Sequence, residues 1–380
     1  MPRSATQVID LVVIQASPFC NIDCRYCYLP SRESRQLMEE QTLAKIYERI
    51  FESAFLGDRF QNLWHAGEPL TVPLAFYEKA LAIQERFNRG RVQIEQVFQT
   101  NATLITQQWC EFFRTHEVRV GVSIDGPQPI HDAYRLTRSG RGTFEQAMRG
   151  VKLLQDHGIP VHVLAVLTSE ALDRPDDIWE FLLASGVASV GFNLDVAKGI
   201  HSQSTVSHDG DVRRYQAFFR RLHALRSESG RQLPIRELDS MQSRIRFGSD
   251  QMGSKVITPL ATLNFDCEGN ISTYSPELLG DRKSKYGQLT FGNVFTSGID
   301  EILTSEKFRE VNADIERGVA RCKATCQYFS VCGGGDPTNK LAENGTFDST
   351  ETMHCRLEIQ ALCDVVLENV EQDLGIASGS

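Results

Sequence analysis

A chain of 380 residues, 41% hydrophobic and 23% charged, is long enough to bury a large core in two or three domains and has the balance of an ordinary globular protein. A net charge of −9 with no long basic block argues against a nucleic-acid or anionic-membrane partner, and no apolar run approaches the roughly 18 residues that span a bilayer. Ten cysteines follow an N-terminus, Met1-Pro2-Arg3-Ser4, that enters an apolar run too soon to hold a signal peptide; this points to metal binding rather than disulfides and to a reducing cytoplasm.

In chain order, strands are expected near 8–14, 60–65, 92–99, 118–124, 161–167 and 189–195. Helices are expected near 40–55, 74–88, 106–115, 143–157 and 175–185, the fourth opening with Thr143-x-x-Gln146, a capping-box pattern. Six strand–helix alternations imply parallel βαβ units. No Gly-x-Gly-x-x-Gly follows the first strand, and polar residues recur after the strands' C-terminal ends. A partial (β/α)6 TIM-like barrel over 1–196 therefore fits better than a dinucleotide fold.

The first strand, Asp10-Leu11-Val12-Val13-Ile14, ends at the Ser17-Pro18 turn and leads into Cys20-x-x-x-Cys24-x-x-Cys27. Three thiolates on one short loop satisfy three irons of a [4Fe-4S] cluster and leave the fourth iron open. A zinc knuckle and three unrelated buried cysteines are the alternatives; zinc normally takes four protein ligands in two pairs. The motif, with Tyr26 before its last cysteine, resembles the radical S-adenosylmethionine (SAM) superfamily. The resemblance implies that the open iron binds SAM and that reductive cleavage yields a 5′-deoxyadenosyl radical. It also implies SAM-binding roles for residues after later strands. Ala66-Gly67-Glu68-Pro69 is similar to the family's Gly-Gly-Glu-Pro, with Ala66 in place of the first glycine, and Gln99-Thr100-Asn101-Ala102 to its Thr-Asn-Gly. Ser123-Ile124-Asp125-Gly126 and His131-Asp132-x-x-Arg135 are similar to its SAM-holding pair. Tyr26, Gly67, Glu68, Ser123, Asp125 and Arg135 are the residues so implied, with a capping role for Asp125 as the alternative. His65 and His131 are not expected to be ligands.

Residues 197–255 break the alternation and read as a bridge, with a polar loop from Gly199 to Gly210 and a helix over 211–228. From 256 to 355 a smaller iron–sulfur domain is expected. It opens with a hairpin around Gly269 in Leu263–Tyr274, continues with a helix near 299–310, and ends in Cys322-x-x-x-Cys326, Cys332-Gly333-Gly334-Gly335 and Cys355. Four thiolates can fully ligate a cubane, and a structural zinc is the alternative. This region is similar to the SPASM module of peptide-modifying radical SAM enzymes. That module usually carries two auxiliary clusters; here Cys322, Cys326, Cys332 and Cys355 match one of them, while Cys267 lacks partners and Asp336 stands where a cysteine would follow. One auxiliary [4Fe-4S] cluster is expected, with Cys267 unligated and Cys110 and Cys363 packing residues. Residues 356–380 are expected as a C-terminal amphipathic helix over 356–373 and a frayed tail.

The strings Tyr274-Ser275-Pro276-Glu277-Leu278-Leu279-Gly280, Cys332–Lys340 and Thr350–Cys355 resemble the branch that makes three-residue cyclophanes in ribosomally made peptides, joining an aromatic ring carbon to the Cβ of a residue two positions along. That implies a precursor peptide as substrate and an electron donor such as flavodoxin or ferredoxin. With no winged-helix module ahead of the first strand, the leader would be held by the bridge or by a separate leader-binding protein. Glu237, Glu277 and Asp336 are candidate proton acceptors, and the sequence does not choose among them. Sulfatase maturation, thioether formation and peptide epimerisation are the alternative chemistries, and a non-enzymatic iron–sulfur electron carrier is the alternative outside enzymology.

Overall fold

Residues 9–90, 92–252, 255–279 and 284–373 are described by the structure, a computed structural model. The first strand, β1 (Ile9–Ile14), leads into the cysteine loop, which carries a three-residue strand β2 (Ile22–Cys24). Then follow α1 (Glu40–Glu52), β3 (Leu56–Trp64), α2 (Leu74–Asn88), β4 (Gln93–Thr100), α3 (Gln107–Thr115), β5 (Arg119–Ser123), α4 (Gln128–Tyr134), β6 (Arg135–Thr137), α5 (Phe144–Asp156), β7 (Val161–Leu167), α6 (Pro175–Ala184) and β8 (Ser189–Leu194). Strands β1, β3, β4, β5, β7 and β8 lie side by side in sequence order and all parallel, which is the expected six-stranded partial barrel.

Periodicity explains the layers. In α1 the residues Leu43, Ile46, Tyr47 and Ile50 recur at helical spacing and are buried against the sheet. In β7, Val161-His162-Val163-Leu164-Ala165-Val166-Leu167 alternates buried and half-buried positions. Trp64, Tyr77, Phe98, Trp109 and Phe113 interlock by edge and tilted contacts between the sheet and α2–α3.

The bridge holds two helices, α7 (Asp209–Ser229) and α8 (Arg236–Met252). Phe218 and Phe219 of α7 pack on Phe192 and fasten that helix to β8. The hairpin of β9 (Thr262–Phe265) and β10 (Asn270–Thr273) turns at Gly269, where φ is +80°, as the sequence predicts. It does not start a separate sheet. Strand β9 pairs in parallel with β1, and β10 pairs with β11 (Gly292–Asn293), so one nine-stranded sheet runs through the boundary drawn at 256. The physical reason is that β1 has an open edge, and β9, whose four residues are all buried, covers it.

Helices α9 (Ile299–Ile302) and α10 (Glu306–Thr325) replace the one helix expected near 299–310, and α10 runs on to the second cysteine group. Cys326 caps the end of α10, short helices α11 (Phe329–Cys332) and α13 (Met353–Cys355) carry Cys332 and Cys355 with α12 (Pro337–Asn344) between them, and a π-helical turn at Arg356–Ala361 leads into α14 (Leu362–Asp373). The predicted tail from Ala377, the opening residues Met1–Ser4 and Gly280 lie outside the described residues. The predicted capping box at Thr143 is absent. Thr143 instead donates its hydroxyl to the Arg135 carbonyl at 2.8 Å, and the Asp132 carboxylate takes the Phe144 N–H at 2.9 Å. A nearer tertiary acceptor has displaced the local one. Among the described residues no helix is long and apolar enough to cross a membrane.

Candidate functional site

The cysteine loop is fixed by pairing far along the chain. Strand β2 runs antiparallel to β6, with Cys24 opposite Arg135. Arg138 donates to the Cys20 carbonyl through Nε at 3.0 Å and Nη2 at 2.8 Å. Gly67 lets the turn after β3 approach: at φ +129° it faces the Ser17 carbonyl, and a Cβ there would lie 2.4 Å from that oxygen. Asn101, at the end of β4, donates to the Asn21 carboxamide at 2.9 Å and lies 3.9 Å from Cys20 Sγ.

Beside the loop is a network built on Asp125. Its carboxylate accepts from Arg135 Nε at 3.1 Å and Nη2 at 2.9 Å, from the Val166 N–H at 2.9 Å, and from the Tyr26 hydroxyl. Arg135 Nη1 then points toward Cys24 Sγ at 3.9 Å. Asp125 is thus buried behind Arg135 and Tyr26 and orients them. Glu68 is buried as well and accepts from Leu70 N, Thr100 Oγ1 and Asn101 N at 3.0, 2.6 and 2.8 Å. Burial raises its carboxyl to about 7 against the pull of those donors.

A cavity of about 790 Å³ opens in front of these groups. Cys24, Cys27, Tyr26, Ser123 and Arg135 line one part of it, and Cys332, Cys355 and Asp336 another. Gly67, Glu68 and Asp125 stand behind its wall. Gln99 reaches the wall from β4 and donates to Ser123 Oγ at 2.9 Å, in space that Gly121 leaves free.

The three candidate proton acceptors are separated by what each carboxylate faces. Glu237 takes the Phe192 N–H of edge strand β8 at 3.0 Å and the Arg236 Nε at 2.6 Å, so it closes the barrel edge; burial lifts its carboxyl to about 7. Asp336 caps α12 through the Thr338 N–H at 2.7 Å. Burial would raise its carboxyl, but Lys198 and His354 hold it below the ordinary aspartate value. Among the described residues the Glu277 carboxylate meets no backbone N–H; it accepts from the Ser275 and Thr338 hydroxyls at 3.4 and 3.2 Å. It pairs with Lys198 Nζ at 2.6 Å and, with a side chain 24% exposed, looks into the cavity. Burial pulls the Lys198 ammonium down, and Glu277 and Asp336 more than reverse it. Lys198 and Glu358, which line this part of the cavity, had no motif to mark them in the sequence, and His354 lies in the Thr350–Cys355 string without having been singled out.

The four C-terminal thiols come together: Cys355 feels the charges of Cys332, Cys326 and Cys322. Burial is the main force that lifts Cys20, Cys24 and Cys355 to about 12, so holding these sulfurs as thiolates takes the positive charge of a bound metal group. Cys110, Cys267 and Cys363 are buried and outside the cavity wall, Cys110 and Cys363 as the packing residues expected.

The profile of the Radical SAM superfamily matches residues 14–182. An uncharacterized protein of Synechocystis sp. is 40% identical over 97% of this chain and 94% of its own length. A serine-type anaerobic sulfatase-maturating enzyme of Bacteroides thetaiotaomicron is 39% identical over 43% of this chain and 40% of its own. Two solved structures share the fold. One is native anSMEcpe with bound AdoMet and Cp18Cys peptide, with a TM-score of 0.79, 20% identity, and coverage of 96% of this chain and 99% of that one. The other is SuiB of Streptococcus suis bound to the precursor peptide SuiA, with a TM-score of 0.65, 15% identity, and coverage of 92% and 76%.

Proposed function

We propose, from the premise that this chain belongs to the radical SAM superfamily, that it modifies a ribosomally made peptide by joining an aromatic ring carbon to the Cβ of a residue two positions along. The family's cofactors are a [4Fe-4S] cluster and SAM, and the loop of Cys20, Cys24 and Cys27 fits the cluster. Cys322, Cys326, Cys332 and Cys355 would hold one auxiliary [4Fe-4S] cluster. When bound, the cluster and SAM supply a 5′-deoxyadenosyl radical able to take a hydrogen atom.

The observation that carries this reading is the single cavity bordered by both thiol sets, with Glu277 on its wall. Ser123 and Arg135 would hold the carboxylate and ribose region of SAM, with Tyr26 beside them. Gly67 and Glu68 would serve its amino end from behind the wall, and Asp125 would hold Arg135 in register. The peptide lies in the cavity and loses a Cβ hydrogen, and the carbon radical adds to the ring. Restoring aromaticity then releases one electron and one proton. Glu277 takes the proton, because Glu237 and Asp336 already serve backbone N–H groups. An auxiliary cluster held by the second thiol set would accept the electron and pass it to an external one-electron carrier.

A second reading has support in the named relatives: oxidation of a single serine or cysteine, as in sulfatase maturation. One experiment separates them. The chain is co-expressed with a small peptide encoded beside its gene, and the product is examined by tandem mass spectrometry. A cyclophane appears as the loss of two hydrogens, with fragmentation silenced between an aromatic residue and the residue two positions on. A mass change confined to one Ser or Cys refutes the crosslink and favours the second reading. An unchanged mass with deuterium gained at Cα in heavy water means epimerisation.

A further inference from the structure

Lys340 in α12 is 3% exposed, and its ammonium lies 3.4 Å from Cys322 Sγ. Among the described residues no carboxylate pairs with it. The position is built for that contact. Gly318 and Cys322 stand one turn apart on one face of α10, and a Cβ at Gly318 would lie 3.3 Å from the ammonium and 2.4 Å from the Phe347 carbonyl. A lysine held this far from water is best placed beside negative charge. A thiolate-bound cluster carries the negative charge that this lysine lacks.

The neighbouring thiol has a donor of the same kind. Gly333, Gly334 and Gly335 all have positive φ, and the Gly335 N–H donates to Cys332 Sγ at 3.1 Å. At the first cysteine loop Cys20 has a backbone donor in Ile22, but the side-chain donors, Asn101 Nδ2 and Arg135 Nη1, stand 3.9 Å from sulfur, and Arg135 is already neutralised by Asp125. Hydrogen bonds and cations at the sulfurs favour the more negative, reduced state of an iron–sulfur group.

We propose that Lys340 is a positioning residue for electron transfer, and that its ammonium on the Cys322 thiolate raises the reduction potential of the auxiliary cluster above that of the SAM-cleaving one. This rests on the reading that the second cysteine set holds a cluster; it does not depend on which peptide bond is made. The electron balance is one electron from the peptide radical to the auxiliary cluster for each proton passed to Glu277. A one-electron carrier protein then takes that electron away.

The test is an EPR-monitored redox titration of the full, reconstituted chain. In the wild type the auxiliary signal should appear at the higher potential. Lys340→Met should lower the equilibrium constant for its reduction tenfold or more, about 59 mV for one electron, while Lys340→Arg keeps the wild-type value. Iron counting shows whether each variant still holds the auxiliary cluster. If Lys340→Met does not, Lys340→Gln, which keeps an N–H donor and drops the charge, takes its place. A titration midpoint unchanged in a fully loaded Met or Gln variant overturns the proposal. So does a wild-type auxiliary potential below that of the first cluster, whatever the variants do. A failed peptide reaction with the predicted potentials refutes the peptide chemistry alone, and a chain that binds only one cluster refutes the ligand assignment.

Discussion

Gly67 and Glu277 show how much can rest on one side chain. At Gly67 a methyl group would strike the Ser17 carbonyl, in a backbone conformation that costs an alanine about 1–3 kcal/mol. Gly67→Ala should therefore displace the first cysteine loop. Iron analysis after reconstitution should show one cluster's worth of iron lost and the other kept; full loading of both would mean the approach is not needed. Glu277→Gln should lower product formation by about 100-fold or more, the usual worth of a positioned base, while 5′-deoxyadenosine still forms. Equal loss of both products would place Glu277 in SAM binding instead. At this scale the sequence was legible where spacing carries the chemistry, in Cys20, Cys24 and Cys27 and in the four later thiols. It was not legible for the carboxylates. Glu237, Glu277 and Asp336 look alike in a sequence, and what sets Glu237 and Asp336 apart from Glu277 is the backbone N–H each of those two meets, 45 residues away in the case of Glu237 and Phe192.

The barrel elements were readable because each is long enough to show its period. The six predicted strands and five predicted helices appear in order, and the main shift is β3, which starts at Leu56 rather than 60. Strands β2 and β6 were not readable: three residues have no period, and their pairing joins Ile22 to Thr137. The barrel's free edge was equally silent. There Val190 takes a backbone bond to Pro234, and Glu237 and Arg236 satisfy the N–H and carbonyl of Phe192. This edge cap has a pH signature. The folded Glu237 carboxyl titrates near 7, against 4.5 for an ordinary glutamate. Between those values the folded chain keeps a proton that the unfolded chain has lost. Its contribution is full at low pH, falls as pH rises through that window, and is level above it. Glu237→Gln lacks this slope, so the stability of the wild type relative to the variant should decline from pH 5 to pH 7.5 in denaturant unfolding. A constant difference would mean that Glu237 stays ionised throughout.

For the whole molecule, the division at 256 was inferred from a change of pattern in the sequence. What the sequence could not show is that β9 returns to β1 across some 250 residues of chain, in register from Leu11–Thr262 to Ile14–Phe265. A chain cut after 255 keeps every barrel strand and still exposes the outer edge of β1. It should be recovered largely insoluble, whereas a soluble, cluster-binding 1–255 fragment would show that the barrel stands alone. The same seam bears on how substrate is chosen. A strand shared by both halves is a weld and not a hinge, so the distance between the two thiol sets is a fixed gauge. On the peptide-modifying reading proposed above, a substrate would have to span that gauge by its own reach, and the molecule would select its target as a caliper does, by length.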